Sequence, residues 1–167
     1  MLTAVFIGAL ALNAAVAWAS GSRGLQKLSL LLLASYFTCE AYMYAAIPMA
    51  HLTGINFADR PIRMVAFALN DLAFFILCVY VIHANRIMVR ARFWFKFTYI
   101  GMLSAHAGII IGTGELYRYD IVLNALCMVQ VIMCTASGVS DVVGLILRGN
   151  RDHLFGYSRM RLSENHK

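Results

Sequence analysis

Charged residues are scarce in this sequence and account for 13% of its 167 residues. Apolar residues account for 61%, whereas a soluble domain averages roughly 45–50% apolar and about 25% charged residues. A soluble fold of this size has too little interior to bury so much apolar surface. The scarcity of charge therefore excludes an ordinary soluble domain and favours an integral membrane protein.

Motifs of several enzyme classes are also missing. The sequence contains no G-x-x-x-x-G-K-[ST], no G-x-S-x-G and no H-E-x-x-H, which argues against nucleotide binding, a serine hydrolase and a metalloprotease. No C-x-x-C pair occurs, and each cysteine lies in an apolar run, as is typical of small buried side chains. The cysteines are Cys39, Cys78, Cys127 and Cys134. No catalytic residue and no cofactor is predicted.

Long uninterrupted apolar runs are what the sequence does contain. Each is near the ~20 residues that a helix needs to cross the hydrocarbon, and none alternates like the strands of a membrane barrel. The runs predict an all-α bundle of about five transmembrane helices, spanning about 2–19, 28–49, 64–83, 93–112 and 121–147. Residues 1–147 form the predicted bundle and 148–167 a basic tail. No basic residue precedes the first run, so we interpret it as a span and not as a cleaved signal peptide.

Lysine and arginine are distributed unevenly between alternate loops. Of the fourteen, eleven lie beside the first loop, beside the third loop or in the tail. The other side holds only Arg60, Arg63 and Arg118. This positive-inside pattern places the N-terminus outside and the tail in the cytoplasm. It predicts an inner (plasma) membrane of bacterial type, and it argues against nucleic acid as a partner because the charges form no single basic face.

Three ionisable residues interrupt the apolar spans. Glu40, Asp71 and His106 are predicted to lie at one level, roughly 9–14 Å below the outer boundary of the hydrocarbon. An isolated charge at such a depth costs on the order of 2.5–3.5 kcal/mol. We therefore expect the three to face one another inside the bundle as a layer that handles protons or small cations. Structural hydrogen bonds between helices are the alternative interpretation.

Other polar residues support this layer. Tyr36 and Tyr44 lie one helical turn to either side of Glu40, on the same face. Along the fifth span, polar and small residues recur every three or four positions and favour either a watery path or close helix packing. The predicted supporting residues are Tyr36, Tyr44, Asn70, Asn124, Gln130 and Asp141. Asp141, near the cytoplasmic end, is expected to contact His83 or Arg86.

No metal or haem site is predicted. A haem held by two histidines needs both at one level, and His83 and His106 are predicted at opposite depths. Glu40, Asp71 and His106 have side chains that suit a metal ion, but their spacing matches no recognisable motif.

Two features indicate possible partners besides the lipid bilayer. Ser104, Gly108 and Gly112 are spaced four apart, a small-residue ladder that suits helix packing within one bundle or between copies of the chain. The tail 148–167 is basic with interleaved apolar residues, which suits either anionic lipid or a cytoplasmic partner.

Together these features predict a homo-oligomeric protein of the channel or transport type, which handles protons or small cations through the buried acids and histidine. Two other functions stay open. One is a non-catalytic accessory or sensor subunit of a larger membrane complex, in which the acids are structural. The other is a membrane-embedded small-ligand binder or enzyme that uses the same polar pocket.

Overall fold

The computed structural model describes residues 2–57, 59–89, 91–112 and 116–164. Within these ranges, the structure describes the backbone but not the side chains of residues 2, 3, 60, 61, 116–118, 120 and 149–164. Five α-helices and no strand occur in the described part: α1 Leu2–Ala19, α2 Arg23–Thr53, α3 Arg60–Ala84, α4 Arg92–Ile110 and α5 Leu116–Glu164. The predicted all-helical fold class is confirmed.

The ends of α2 follow ordinary capping chemistry. Its N-cap is Ser22, whose side-chain oxygen accepts a hydrogen bond from the Leu25 N–H at 3.5 Å. Gly54 ends the helix in the left-handed conformation, with φ of 73°, and its N–H donates to the Ala50 carbonyl. Pro48 lies inside α2, so the missing N–H of proline does not end this helix.

The helices extend beyond most of the predicted spans. α2 begins five residues before the predicted start at residue 28, and α5 continues to Glu164 where the span was predicted to end at 147. The reason is that hydropathy marks the part of a helix that suits hydrocarbon, whereas Arg23 and Lys27 are compatible with a helix outside it. The predicted interactions of the tail fall on side chains outside the described residues.

The five helices form a closed ring in chain order. Each helix packs against its neighbours along the chain, α5 packs back against α1, and α2 makes a smaller contact with α5 across the ring. The short connections at 20–22, 54–59, 85–91 and 111–115 make consecutive helices antiparallel. We call the end of the bundle that holds the connections 20–22 and 85–91 the closed end.

The interior of the closed end is filled by buried apolar side chains. Leu25, Leu28, Ile82 and Phe95 are each at most 2% exposed. At Gly24, a Cβ atom would lie 2.6 Å from Asn85 Cβ, so only glycine allows α2 to approach the 85–91 connection this closely.

The exterior of the bundle is strongly apolar. Among the described residues, Arg23–Thr53, Ile62–Ala84 and Ile121–Arg148 are long and apolar enough to cross a membrane, and Ala4–Ala19 is a shorter apolar helix. Large apolar side chains are exposed on all five helices, for example Leu12, Leu30, Ile76, Ile100 and Ile132. The burial pattern is thus compatible with a membrane location.

Candidate functional site

Asp71 and His106 form a buried pair between α3 and α4. The distance from His106 Nε2 to Asp71 Oδ2 is 2.9 Å. Asp71 is 5% exposed and His106 is 1% exposed. Because α3 and α4 are antiparallel neighbours, residues 35 apart in sequence reach the same level. The structure therefore brings together two of the three ionisable residues of the predicted layer.

Tyr119 extends this pair to a third group. Its hydroxyl is hydrogen-bonded to His106 Nδ1, and its ring meets the imidazole edge-on, with centroids 5.5 Å apart. A carboxylate can only accept, so the Nε2–H tautomer of His106 donates to Asp71 and the Tyr119 hydroxyl donates to Nδ1. Tyr119 is buried beside Met64 and Ile109. The result is a continuous chain from phenol to imidazole to carboxylate.

A cavity of about 200 Å³ adjoins this chain at the centre of the ring. All five helices contribute to its lining. Asp71, His106, Asn124 and Gln130 supply the main polar groups. The remaining wall is largely aromatic or aliphatic: Phe6, Leu10, Leu32, Tyr36, Phe67, Tyr99, Met102, Leu123 and Val131. The carboxylate and imidazole therefore face a mostly apolar space between the five helices.

Glu40 does not join Asp71 and His106. It is half-buried on α2, and the Tyr36 side chain interacts with it. Among the described residues, no hydrogen bond or ion pair links Glu40 to the buried pair, and Glu40 does not line the cavity. Tyr44, on the other side of Glu40, is 79% exposed. The part that Glu40 plays stays a prediction.

Asn70 connects α2 to α3 beside the pair. Its amide nitrogen donates to the Ser35 hydroxyl at 3.1 Å and to Cys39 Sγ at 3.3 Å. Both acceptors line the cavity. Asn70 thus holds the α2 wall of the cavity against the helix that carries Asp71.

Gln130 projects from α5 toward α4. Its Nε2 donates to Thr98 Oγ1 at 2.9 Å and to Met102 Sδ at 3.5 Å. The Thr98 hydroxyl already donates to the Phe95 carbonyl, so it accepts from Gln130 and sets the direction of the amide. The carbonyl oxygen of Gln130 is thereby left on the side away from Thr98.

Sequence reasoning missed Asn13 and the role of Tyr119. Asn13 is 1% exposed, and its amide nitrogen donates to Thr135 Oγ1 at 3.1 Å and to the Val131 carbonyl at 3.5 Å. It is the only amide side chain in the first apolar run, which was the available signal. Tyr119 lies just before the predicted start of the fifth span at 121, outside every predicted apolar run.

The remaining predicted residues lie away from the pair. Asp141 is exposed beside Ser20 and Arg148. In the described structure no hydrogen bond or ion pair joins it to His83, whose Nε2 lies 3.0 Å from Lys96 Nζ instead. His83 lies beside Lys96 and not beside Asp141 because, among the described residues, α3 packs on α4 and not on α5.

The predicted small-residue ladder lies largely on the outside of the bundle. Ser104 and Gly112 are exposed, and Gly108 is half-buried. A Cβ atom at Gly112 would meet nothing within 4 Å, whereas one at Gly138 would lie 2.7 Å from Val16 Cγ1. Close helix approach inside the bundle therefore occurs at other glycines.

Among the described residues, no group of three or more His, Cys, Asp or Glu side chains could hold a metal ion. Comparison of the chain with protein-family models, with curated proteins and with solved structures finds no match.

Proposed function

We propose that this chain is a multi-pass membrane protein that moves protons through the buried chain of Asp71, His106 and Tyr119. The observation that carries the proposal is the 2.9 Å contact between His106 and Asp71, both buried, at a cavity lined by all five helices. Ionisable residues inside membrane bundles are rare and mark proton or ion pathways by default.

The membrane part of the proposal has five spans, with the N-terminus outside and the end of α5 in the cytoplasm. Exposed aromatic side chains gather at the closed end of the bundle: Trp18, Phe93, Trp94 and Phe97. Arg86, Arg92 and Lys96 lie at the same end. Aromatic residues beside lysine and arginine are typical of a cytoplasmic membrane interface.

The hydrogen-bonded chain of Tyr119, His106 and Asp71 can take up a proton at the Tyr119 end and hold it at the Asp71 end. When the Tyr119 proton passes to His106 Nδ1 and is replaced from outside, the imidazole becomes an imidazolium beside the Asp71 carboxylate. Transfer of the Nε2 proton to Asp71 then gives a neutral imidazole and a neutral carboxylic acid at the cavity. Histidine suits this step because its unperturbed pKa lies near neutrality.

Protons fit the site better than metal cations do. A hard cation such as sodium or calcium needs several oxygen ligands. Asp71 Oδ2 is already engaged by His106, and in the described part of the chain Asp71 is the one carboxylate that lines the cavity. One carboxylate and one imidazole are sufficient for a proton.

The proposal also includes assembly of several copies. Ser104 and Gly112 are exposed, and the Ser104 hydroxyl donates to the Ile100 carbonyl of its own helix. Close packing within one bundle does not use these two positions, so they suit contact with a second copy. Native mass spectrometry from mild detergent measures this state directly.

Proton flux into liposomes tests the central claim. The full chain is reconstituted around a trapped pH-sensitive dye, and a potassium gradient with valinomycin drives proton entry. We expect flux in the wild type and a loss of at least about tenfold in Asp71→Asn, because the asparagine amide cannot accept the transferred proton. Asp59→Asn is the matched control, since Asp59 is exposed at the start of α3.

Two results would contradict the proposal. One is a folded wild type without proton flux above that of empty liposomes. The other is an Asp71→Asn protein whose flux equals that of Asp59→Asn. Either result would leave the buried pair as a structural link between α3 and α4.

A further inference from the structure

Two hydrogen-bond acceptors at the cavity have no described donor. Asp71 Oδ2 accepts from His106, but no described residue donates to Asp71 Oδ1. Gln130 uses its amide nitrogen on Thr98 and Met102, and no described donor reaches its carbonyl oxygen. The buried side-chain atoms that have no hydrogen-bond partner are others, so Asp71 Oδ1 and the Gln130 carbonyl oxygen are not sealed off without a partner. A ligand that satisfies both must bring donors.

The charge of the cavity also favours a cation. Among the residues that the structure describes, no lysine or arginine lines it. Both ring nitrogens of His106 are engaged, Nε2 by Asp71 and Nδ1 by Tyr119, so the imidazole has no donor left for an anion. An ionised Asp71 would therefore find no lysine or arginine counterion among the described residues of the cavity.

The walls suit an organic cation rather than a bare ion. Phe6, Tyr36, Phe67 and Tyr99 line the cavity. Aromatic rings attract ammonium groups through their negative faces, and they do so more strongly where water is excluded. The volume of about 200 Å³ exceeds the 150 Å³ or so of an engineered cavity that holds benzene. One ring with a short substituent therefore fits.

We propose that this cavity is a binding site for a small monocyclic organic ammonium ion, with its ammonium group against Asp71 and its ring among the aromatic walls. The site shares its carboxylate with the proposed proton relay and rests on that function only in requiring Asp71 to ionise. The movement of protons is not needed for binding, so the two ideas can fail separately.

Isothermal titration calorimetry of the full chain in lipid nanodiscs tests the site, with protein-free nanodiscs as the blank. The probes are benzylammonium, neutral benzyl alcohol and anionic benzoate, which share one ring and differ in charge. We expect benzylammonium to bind at least about tenfold more tightly than benzyl alcohol, because a charged donor meets the Asp71 carboxylate. Benzoate should not bind.

Two variants distinguish the contribution of the Asp71 carboxylate to binding from that of the cavity volume. Asp71→Asn should remove the preference for benzylammonium over benzyl alcohol, while the exposed control Asp59→Asn should retain it. Cys127→Leu keeps Asp71 and adds volume at a residue that lines the cavity, so it should weaken both probes. If Asp71→Asn does not fold, Cys127→Leu decides whether the probe occupies this cavity.

Several outcomes would overturn the inference: no benzylammonium binding to the wild type, equal affinity for benzyl alcohol, or unchanged binding to Cys127→Leu. Wild-type proton flux without benzylammonium binding would overturn this inference and leave the proton relay in place. Benzylammonium binding without proton flux would overturn the relay and leave the ligand site in place.

Discussion

The closed end of the bundle and its cavity differ in what they bury. At the closed end, Leu25, Leu28 and Phe95 fill the interior, and Gly24 lets helix α2 touch the 85–91 connection. Around the cavity, Asp71 and His106 are buried beside about 200 Å³ of space. The same chain thus has one interior region filled by apolar side chains and another that keeps an open cavity beside ionisable side chains.

This difference supports the proposal that the ionisable pair serves proton movement. Neutral side chains make hydrogen bonds between other helices: Gln130 of α5 to Thr98 of α4, and Asn13 of α1 to Thr135 of α5. Such bonds contribute about 0.6 kcal/mol each on average in membrane proteins. A buried carboxylate adds a desolvation penalty of several kcal/mol, a cost that the proposed function would explain.

His106→Leu should give the largest change in stability. It leaves the Asp71 carboxylate and the Tyr119 hydroxyl without their shared partner, and it should lower the free energy of unfolding by about 3 kcal/mol. The double variant Asp71→Leu/His106→Leu removes both charges and should regain more than half of that loss. Unfolding of the reconstituted protein in a denaturing detergent measures both. A double variant less stable than the single would show that the pair stabilises the fold in its own right.

Gly24→Ala should come next in size. Its Cβ would lie 2.6 Å from Asn85 Cβ and 2.8 Å from Ile87 Cγ2, so the closed end must move apart, at about 2 kcal/mol of stability. Gly8→Ala is the matched control, since a Cβ atom at Gly8 meets nothing within 4 Å. The same unfolding assay applies, and equal stability of the two variants would mean that the closed end is not tightly packed.

Cys127→Leu should raise the stability of the fold slightly, whereas the two preceding changes lower it. The added carbons enter space that is already present at the cavity, so the free energy of unfolding should rise by about 0.5–1 kcal/mol. A loss of stability as large as that of Gly24→Ala would show that the cavity wall is as rigid as the closed end.

Glu40→Gln should change least. Glu40 lies outside the cavity lining and has no described bond to Asp71 or His106, so proton flux should fall by less than in Asp71→Asn. Flux that vanishes in Glu40→Gln as well would place this carboxylate on the same route and restore the three-residue layer that the sequence predicts.

The sequence was sufficient to predict the helices and the shared level of Asp71 and His106. Both follow from length, because depth along an apolar helix is about 1.5 Å per residue. Rotation about the helix axis is harder to predict, since each residue turns by about 100°. Cys39 lines the cavity while Glu40, the next residue, does not. Depth alone cannot distinguish these neighbours.

Tyr119 illustrates a second limit of prediction. Its hydrogen bond to His106 is made in the first turns of α5, before the continuous apolar run begins. Hydropathy measures the average character of a window and loses a single polar contact at its edge. Asn13 was missed for a related reason, because its partners Val131 and Thr135 lie on a helix distant in sequence, and pairing between the first and last helices leaves no periodic signal.

The closure of the ring by α1 and α5 has a consequence for how the chain is made. The amide of Asn13 donates to the carbonyl of Val131, a residue 118 positions later. At about 5–20 residues per second, a ribosome needs about 6 to 24 seconds to add that length of chain. Throughout this interval the first helix carries a polar group without its final partner, so a chaperone or the insertion machinery has a defined period in which to shield it.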